Sequence, residues 1–202
     1  GQVLVSEATA ERAIGRFPPG VALRPLGERR LKDLRPERLA LLVIEGVPAI
    51  DTAIRSLDAR PNNLPTQLTT FVGRERELDE ARDLLGRARL LTITGPGGTG
   101  KTRLSLQLAA SVADRFPDGT WFVALATIRD PQLLPPAIAR AMDVTENPVR
   151  GPVEVLVAEL AGKRALLVLD NLEQVLAGVR HVAELLRELP LLHVLATSRA
   201  PL

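Results

Sequence analysis

Hydrophobic and polar positions along this chain follow two different regimes. Over residues 1–46 the apolar runs are short and alternate. Val3-Leu4-Val5 predicts a strand, and Ser6 then caps a helix that continues to Ile14. Pro18-Pro19-Gly20 forces a turn. Residues 21–26 and 30–34 alternate as a hairpin turning near Gly27-Glu28, and residues 38–44 form a further apolar strand. Three or four strands and one helix bury too little apolar surface to close a core alone. This stretch is therefore expected to be the end of a domain that begins upstream. Residues 47–68 hold Pro48, Pro61, Asn62-Asn63 and Pro65 without an apolar period, which is the composition of a proline-stiffened linker.

From residue 69 onwards apolar strands alternate with helical stripes. Leu78, Ala81, Leu84 and Leu85 recur at helical spacing ahead of an apolar strand at 90–94. Leu104, Leu108 and Val112 mark the next helix, which stops before Phe116-Pro117-Asp118-Gly119. A strand at 121–125 follows, then a helix over 131–142 with a break expected at Pro135-Pro136. A loop at 147–152 leads to a helix at 153–160. Residues 164–170 form a continuous apolar run ending in Asp170, as a strand buried on both faces requires. Val175, Val179, Val182 and Leu186 give the last stripe, and 192–197 the last strand. This alternation predicts an α/β fold with a parallel sheet over 69–202, preceded by a small α+β piece.

Composition narrows the partners. The 202 residues suffice for one ordinary domain and a fragment. With aromatics at 2%, the core must be built from Leu, Val, Ile and Ala. Lys and Arg number 26 against 24 Asp and Glu, so charge gives no reason to expect nucleic acid on this piece. The absence of cysteine excludes disulfides and thiolate metal sites and fits a reducing cytoplasm. The apolar run 39–50 is broken by Glu45 and Gly46, so no membrane span is expected. The chain begins at Gly1, which reads as a cut from something longer. His181 and His193 read as surface or strand-edge residues.

The chemistry concentrates at Gly95-Pro96-Gly97-Gly98-Thr99-Gly100-Lys101-Thr102, which meets the phosphate-loop pattern G-x-x-x-x-G-K-[ST] at each fixed position and lies between a strand and a helix. Glycines let the backbone curl with its N–H groups inward as an anion nest. The helix that starts near Gly100 turns its positive end towards the phosphates. Pro96, Gly97, Gly98, Thr99, Gly100, Lys101, Thr102 and Arg103 are the candidate nucleotide contacts. Lys101 would reach the β- and γ-phosphates, and the Thr102 hydroxyl would hold Mg²⁺. Asp170, at the C-terminal end of a buried strand, is the Walker B acid that would hold the same ion through water. ATP and Mg²⁺ are the expected ligands.

Two resemblances follow from further motifs. Phe71-Val72-Gly73-Arg74-Glu75-Arg76-Glu77 resembles the "hhGRExE" motif of the signal-transduction ATPases with numerous domains (STAND), relatives of AAA+ and NB-ARC proteins. The resemblance implies that Val72, Gly73 and Arg74 lie against the adenine and ribose. It also implies sheet order 5-1-4-3-2, with strand 5 beyond Leu202. Thr197-Ser198-Arg199 resembles that family's sensor-1 segment, which would set Arg199 on the γ-phosphate as a reporter of ATP against ADP. Where such ATPases often carry a second acid, this chain has Asn171, an amide that cannot accept a proton; Glu173 is a substitute candidate. Slow hydrolysis, if any, is the expectation.

Gly1-Gln2-Val3-Leu4-Val5-Ser6 and Leu26-Gly27-Glu28-Arg29-Arg30-Leu31-Lys32-Asp33-Leu34 resemble the C-terminal end of class III adenylate/guanylate cyclases. That family's metal-binding and transition-state residues would lie upstream, so this segment alone should not make a cyclic nucleotide. Lys32 falls near a phosphate-contacting lysine of some cyclases. The resulting expectation is a cyclase end at 1–46, a linker at 47–68 and an ATPase at 69–202, working as a nucleotide switch within a larger bacterial regulator. A regulatory ATPase attached to an active cyclase is the alternative, and a scaffold with a relic loop is the third reading. Partners would be ATP or ADP and other domains of the same longer chain, with a homo-oligomer left open.

Overall fold

The structure, a computed structural model, describes residues 3–30, 36–47, 60–66, 71–145 and 149–201. Its first part is a three-stranded antiparallel sheet in the order β1-β3-β2, built from β1 (Leu4–Ser6), β2 (Val21–Arg30) and β3 (Pro36–Ile44). Helix α1 (Glu7–Ala13) is capped as expected, with the Ser6 hydroxyl accepting from the Thr9 amide at 3.4 Å.

The hairpin differs from its prediction. Strand β2 passes straight through Gly27 and Glu28, which pair with Leu39 and Arg38. Gly27 instead marks a bulge, since Pro25 pairs with Ala40 and Gly27 with Leu39, leaving Leu26 as the extra residue. A φ of 74° at Gly27 is the left-handed conformation that such a bulge asks of glycine. Pro25 is tolerated because β2 is an edge strand. The connection to β3, with Lys32, lies outside the described residues.

The second part is a four-stranded parallel sheet in the order β4-β7-β6-β5. Its strands are β4 (Leu90–Thr94), β5 (Thr120–Ala124), β6 (Leu166–Asp170) and β7 (His193–Ser198). The interposed helices are α2 (Glu75–Arg87), α3 (Lys101–Val112), α4 (Leu134–Ala141), α5 (Pro152–Leu160) and α6 (Val179–Glu188). In sheet numbering this is 1-4-3-2, the order that the STAND resemblance implies for the first four strands. Strand β6 is buried throughout, and its alternate side chains enter different cores. Leu167 and Leu169 join Val194, Ala196, Ile138, Leu156 and Leu185 on one face. Leu166 and Val168 join Leu195, Leu108, Ala109 and Leu85 on the other. The result is a three-layer α/β/α arrangement.

Two local expectations are corrected. Pro135 and Pro136 do not break a helix. A 3₁₀ turn at Pro131–Leu133 leads into α4, whose first turn contains both prolines, where the missing N–H groups would have no intrahelical acceptor. Leu84 is 47% exposed, so the core face of α2 is carried by Ala81 and Leu85 with help from Leu78. Of the 47–68 stretch, Val47 and residues 60–66 are described, and the latter lie along the edge of the parallel sheet. The Asn63 side-chain amide donates to Phe122 O at 3.0 Å and Ala141 O at 3.1 Å, and its Oδ1 accepts from the Phe122 amide at 2.6 Å. Asn62 bridges to Thr120, and Leu64 is buried in the α2/α3 core. No helix among the described residues is long and apolar enough to cross a membrane.

Candidate nucleotide site

The carboxyl ends of β4, β6 and β7 bring the candidate residues together. The turn after β4 places Gly95 at φ 151°, Gly98 at φ 80° and Gly100 at φ 79°, conformations that a Cβ would strain. Gly100 is the N-cap of α3, so the helix axis starts at the loop. A Cβ on Gly97 or Gly98 would meet nothing within 4 Å, which leaves space above the turn. Lys101 is 8% exposed, and its ammonium donates to Pro96 O at 2.8 Å. The Thr99 hydroxyl donates to the same carbonyl at 2.9 Å. The loop thus closes on itself through Pro96 O, a neutral acceptor for a buried cation.

Thr102 and Asp170, 68 residues apart in sequence, meet directly. The Thr102 hydroxyl donates to Asp170 Oδ1 at 2.8 Å. A third residue, Thr197, was missed in the sequence as a site residue. Its fully buried hydroxyl donates to the same Oδ1 at 2.6 Å and accepts from the Asn171 amide at 3.0 Å. Thr197 therefore fixes both the Walker B carboxylate and the backbone after it. Its signal in the sequence was its place at the head of Thr197-Ser198-Arg199, a segment in which the resemblance gives a role to Arg199 alone. Asn171 itself adopts a left-handed φ of 63°, a conformation asparagine accepts more readily than most residues.

Arg199 extends from the end of β7 to an ion pair with Glu173, Nε to Oε1 at 3.2 Å, in which Glu173 is 12% and Arg199 63% exposed. The Asn171 side-chain Nδ2 donates to the same oxygen at 3.4 Å. Glu173 Oε2 is buried without a hydrogen-bond partner. Both Glu173 and Arg199 thus lie beside the Asp170–Thr197 pair, though Arg199 is held by a carboxylate.

The segment before α2 reaches the loop from the other side. Arg74 is the left-handed N-cap of α2, at φ 64°. Its guanidinium donates to Thr99 O at 2.9 Å and to Glu77 Oε1 at 3.1 Å. The Gly73 amide donates to Glu75 Oε1 at 3.1 Å. The Arg103 guanidinium stands 5.9 Å from the Phe71 ring centre, a cation–π contact. Val72 is 83% exposed, with its side chain uncommitted to either core. Hydrogen bonds to the backbone and to Arg74 hold the Glu77 carboxyl below its ordinary range. His181 is not the surface residue expected, since its side chain is 14% exposed in the first turn of α6, whereas His193 starts β7 and its ring packs edge-on against Phe116 at 5.1 Å. Among the described residues no group of three or more His, Cys, Asp or Glu is placed to hold a metal.

A parallel sheet of this order, with a glycine-rich turn between its first strand and helix, is the P-loop NTPase fold. Residues 82–202 match the family model described as an AAA domain. The chain belongs to the AAA-domain family. The chain is similar to an uncharacterized protein of Mycobacterium tuberculosis, 40% identical over 132 residues, covering 65% of this chain and 34% of that protein. A second protein of the same organism, named as an HTH-type transcriptional regulator, is 42% identical over 122 residues, covering 60% of this chain and 14% of the regulator. The chain therefore spans about a third or less of these relatives. Among solved structures, Cdc6p from Pyrobaculum aerophilum is similar at 19% identity with a TM-score of 0.52, covering 68% of this chain and 41% of that one. This likeness is one of fold.

Proposed function

We propose that this AAA domain binds ATP with Mg²⁺ and acts as a STAND-type switch within a larger bacterial regulatory protein. The observation that carries the reading is the Thr102–Asp170 hydrogen bond at 2.8 Å, beside a loop in which a Cβ on Gly97 or Gly98 would meet nothing within 4 Å. A hydroxyl and a carboxylate are hard oxygen donors, as Mg²⁺ prefers. When bound, the ion would neutralise charge on the β- and γ-phosphates. The chain's own contributions are separate. Backbone amides of Gly97 to Thr102 cradle the phosphates, and Lys101 exchanges Pro96 O for phosphate oxygen. Val72 and Gly73 border the base, with Arg74 beside them, and Arg103 flanks the loop.

Hydrolysis is slow in this reading. Asn171 offers no proton acceptor at the position after Asp170. Arg199 leaves Glu173 for the γ-phosphate when ATP arrives and stays when ADP does, which gives the switch its two states. The regulator named among the relatives fits a transcriptional output carried by other domains, and assembly into a homo-oligomer fits the same architecture. The strand–helix–hairpin unit at the start of the chain is read as the end of a class III cyclase domain. Whether its upstream part keeps a complete metal and transition-state set separates the switch from an active cyclase with an attached ATPase.

The test is ATP titration of the Asp170→Ala variant with and without Mg²⁺. Loss of a charge-assisted partner worth roughly 1.5–3 kcal/mol should weaken Mg²⁺-dependent binding by about tenfold or more. Binding without Mg²⁺ should change little. Equal Mg²⁺ dependence in the variant and the wild type would overturn the assignment of Asp170.

A further inference from the structure

We infer that Arg74 is a positioning residue for the phosphate cradle and does not itself grip the nucleoside. This rests on the nucleotide-binding reading above. The guanidinium is spent twice before any ligand arrives: Nη1 on Thr99 O at 2.9 Å and Nε on Glu77 Oε1 at 3.1 Å. Thr99 belongs to the glycine-rich turn, and its carbonyl shares a peptide plane with the Gly100 N–H. In a trans peptide these two groups point in opposite directions. A guanidinium that holds the carbonyl on the α2 side therefore turns the Gly100 N–H to the opposite side, into the cradle where an anion is to be held.

Three further observations make Arg74 suited to this task. Its own backbone is left-handed at φ 64°, which starts α2 at the point from which the side chain reaches the loop. Glu77, one turn along the same helix, fixes the guanidinium from behind. Gly100, beside Nη1, holds a left-handed φ of 79°, a backbone that glycine takes readily and that keeps the Thr99–Gly100 peptide in this setting. The Phe71–Arg103 contact ties the same segment to α3 a second time. The segment ahead of α2 and the phosphate loop are thereby linked as one unit.

A contact to the base or ribose and a hold on the loop make different demands on the ligand. Titration of the full chain with MgATP, inorganic tripolyphosphate and adenosine separates them. Arg74→Ala should weaken MgATP and tripolyphosphate by a similar factor, on the order of tenfold for one lost charge-assisted hydrogen bond. Adenosine binding should be unaltered. Arg74→Lys should recover part of the loss, and Glu77→Gln should produce a smaller loss of the same kind. Thermal melting without ligand should be within a few degrees of wild type, since the side chain is partly exposed. If Arg74→Ala lowers ATP and adenosine affinity but leaves tripolyphosphate unchanged, Arg74 touches the nucleoside and the inference is wrong. Unchanged affinity for all three would make the pair with Glu77 a surface ion pair and equally overturn it. A wild-type chain that binds neither ATP nor tripolyphosphate would overturn the nucleotide reading and this inference together, so the two failures are told apart.

Discussion

Glu173 and Arg199 meet at 3.2 Å just past the ends of β6 and β7, and their unequal burial decides how the pair behaves. Glu173 is nearly enclosed, whereas Arg199 is 63% exposed and has the freedom to leave. Ion pairs with an exposed member contribute about 0–1 kcal/mol, so a γ-phosphate with its higher charge should displace the carboxylate. Replacing Glu173 by Gln removes the competitor, and the ATP-to-ADP affinity ratio should rise by about two- to fivefold. Arg199→Ala should bring the ratio towards one. Titration of both variants with each nucleotide checks this, and an unchanged ratio in Arg199→Ala would rule out its reporting role. The third residue of this corner, Thr197, explains why Asp170 is rigid before any metal arrives: two hydroxyls converge on one carboxylate oxygen.

At the scale of elements, the 60–66 segment serves as an edge brace for β5. Asn63 satisfies both the N–H and the C=O of Phe122 with one side chain, as a neighbouring strand would. Asn63→Ala should therefore cost about 1–2 kcal/mol, seen as a lower midpoint in urea unfolding with little change in ATP affinity. His193, at the start of β7, gives the fold a dependence on acid. Burial holds its pKa below the ordinary 6.5, reinforced by Arg164 and Arg89 and partly offset by its hydrogen bond to Leu191 O. A depressed histidine pKa means that the folded state prefers the neutral ring. Stability from this group is present above 6.5 and falls as pH drops from there through the folded-state value. Melting temperature should therefore decline on acidification below neutral pH, and His193→Gln should flatten that slope. An equal slope in the variant would remove His193 as the cause.

Elements with a strong period were readable from the chain, because their pattern reflects burial on the parallel sheet. Strand β6 is an example, since a run of Leu and Val ending in Asp has few other homes in a soluble fold. Features set by partners distant in sequence were not readable. Gly27 looked like a turn because bulge glycines and turn glycines have the same local signature, and only the register with β3 tells them apart. Pro135 and Pro136 looked like a break because their tolerance depends on where the helix starts. The site was half legible: Lys101, Thr102 and Asp170 carry motif spacing. Thr197 and the Arg74–Thr99 contact exist only once β7 and α2 are packed in place.

For the molecule as a whole, the carboxyl end of the parallel sheet is the meeting point of three sequence-distant pieces: the phosphate loop, the Asp170–Thr197 corner and the segment before α2. A ligand that engages all three would lock α2, α3 and the ends of β6 and β7 into one arrangement. The central claim is that the loop after β4 binds a nucleoside triphosphate through Lys101. Calorimetric titration of MgATP into the wild-type chain and Lys101→Ala tests it most directly. Loss of the ammonium should lower affinity by about tenfold or more while the unliganded melting temperature stays close to wild type. Equal affinity in the two proteins, or no heat of binding in either, would contradict the account.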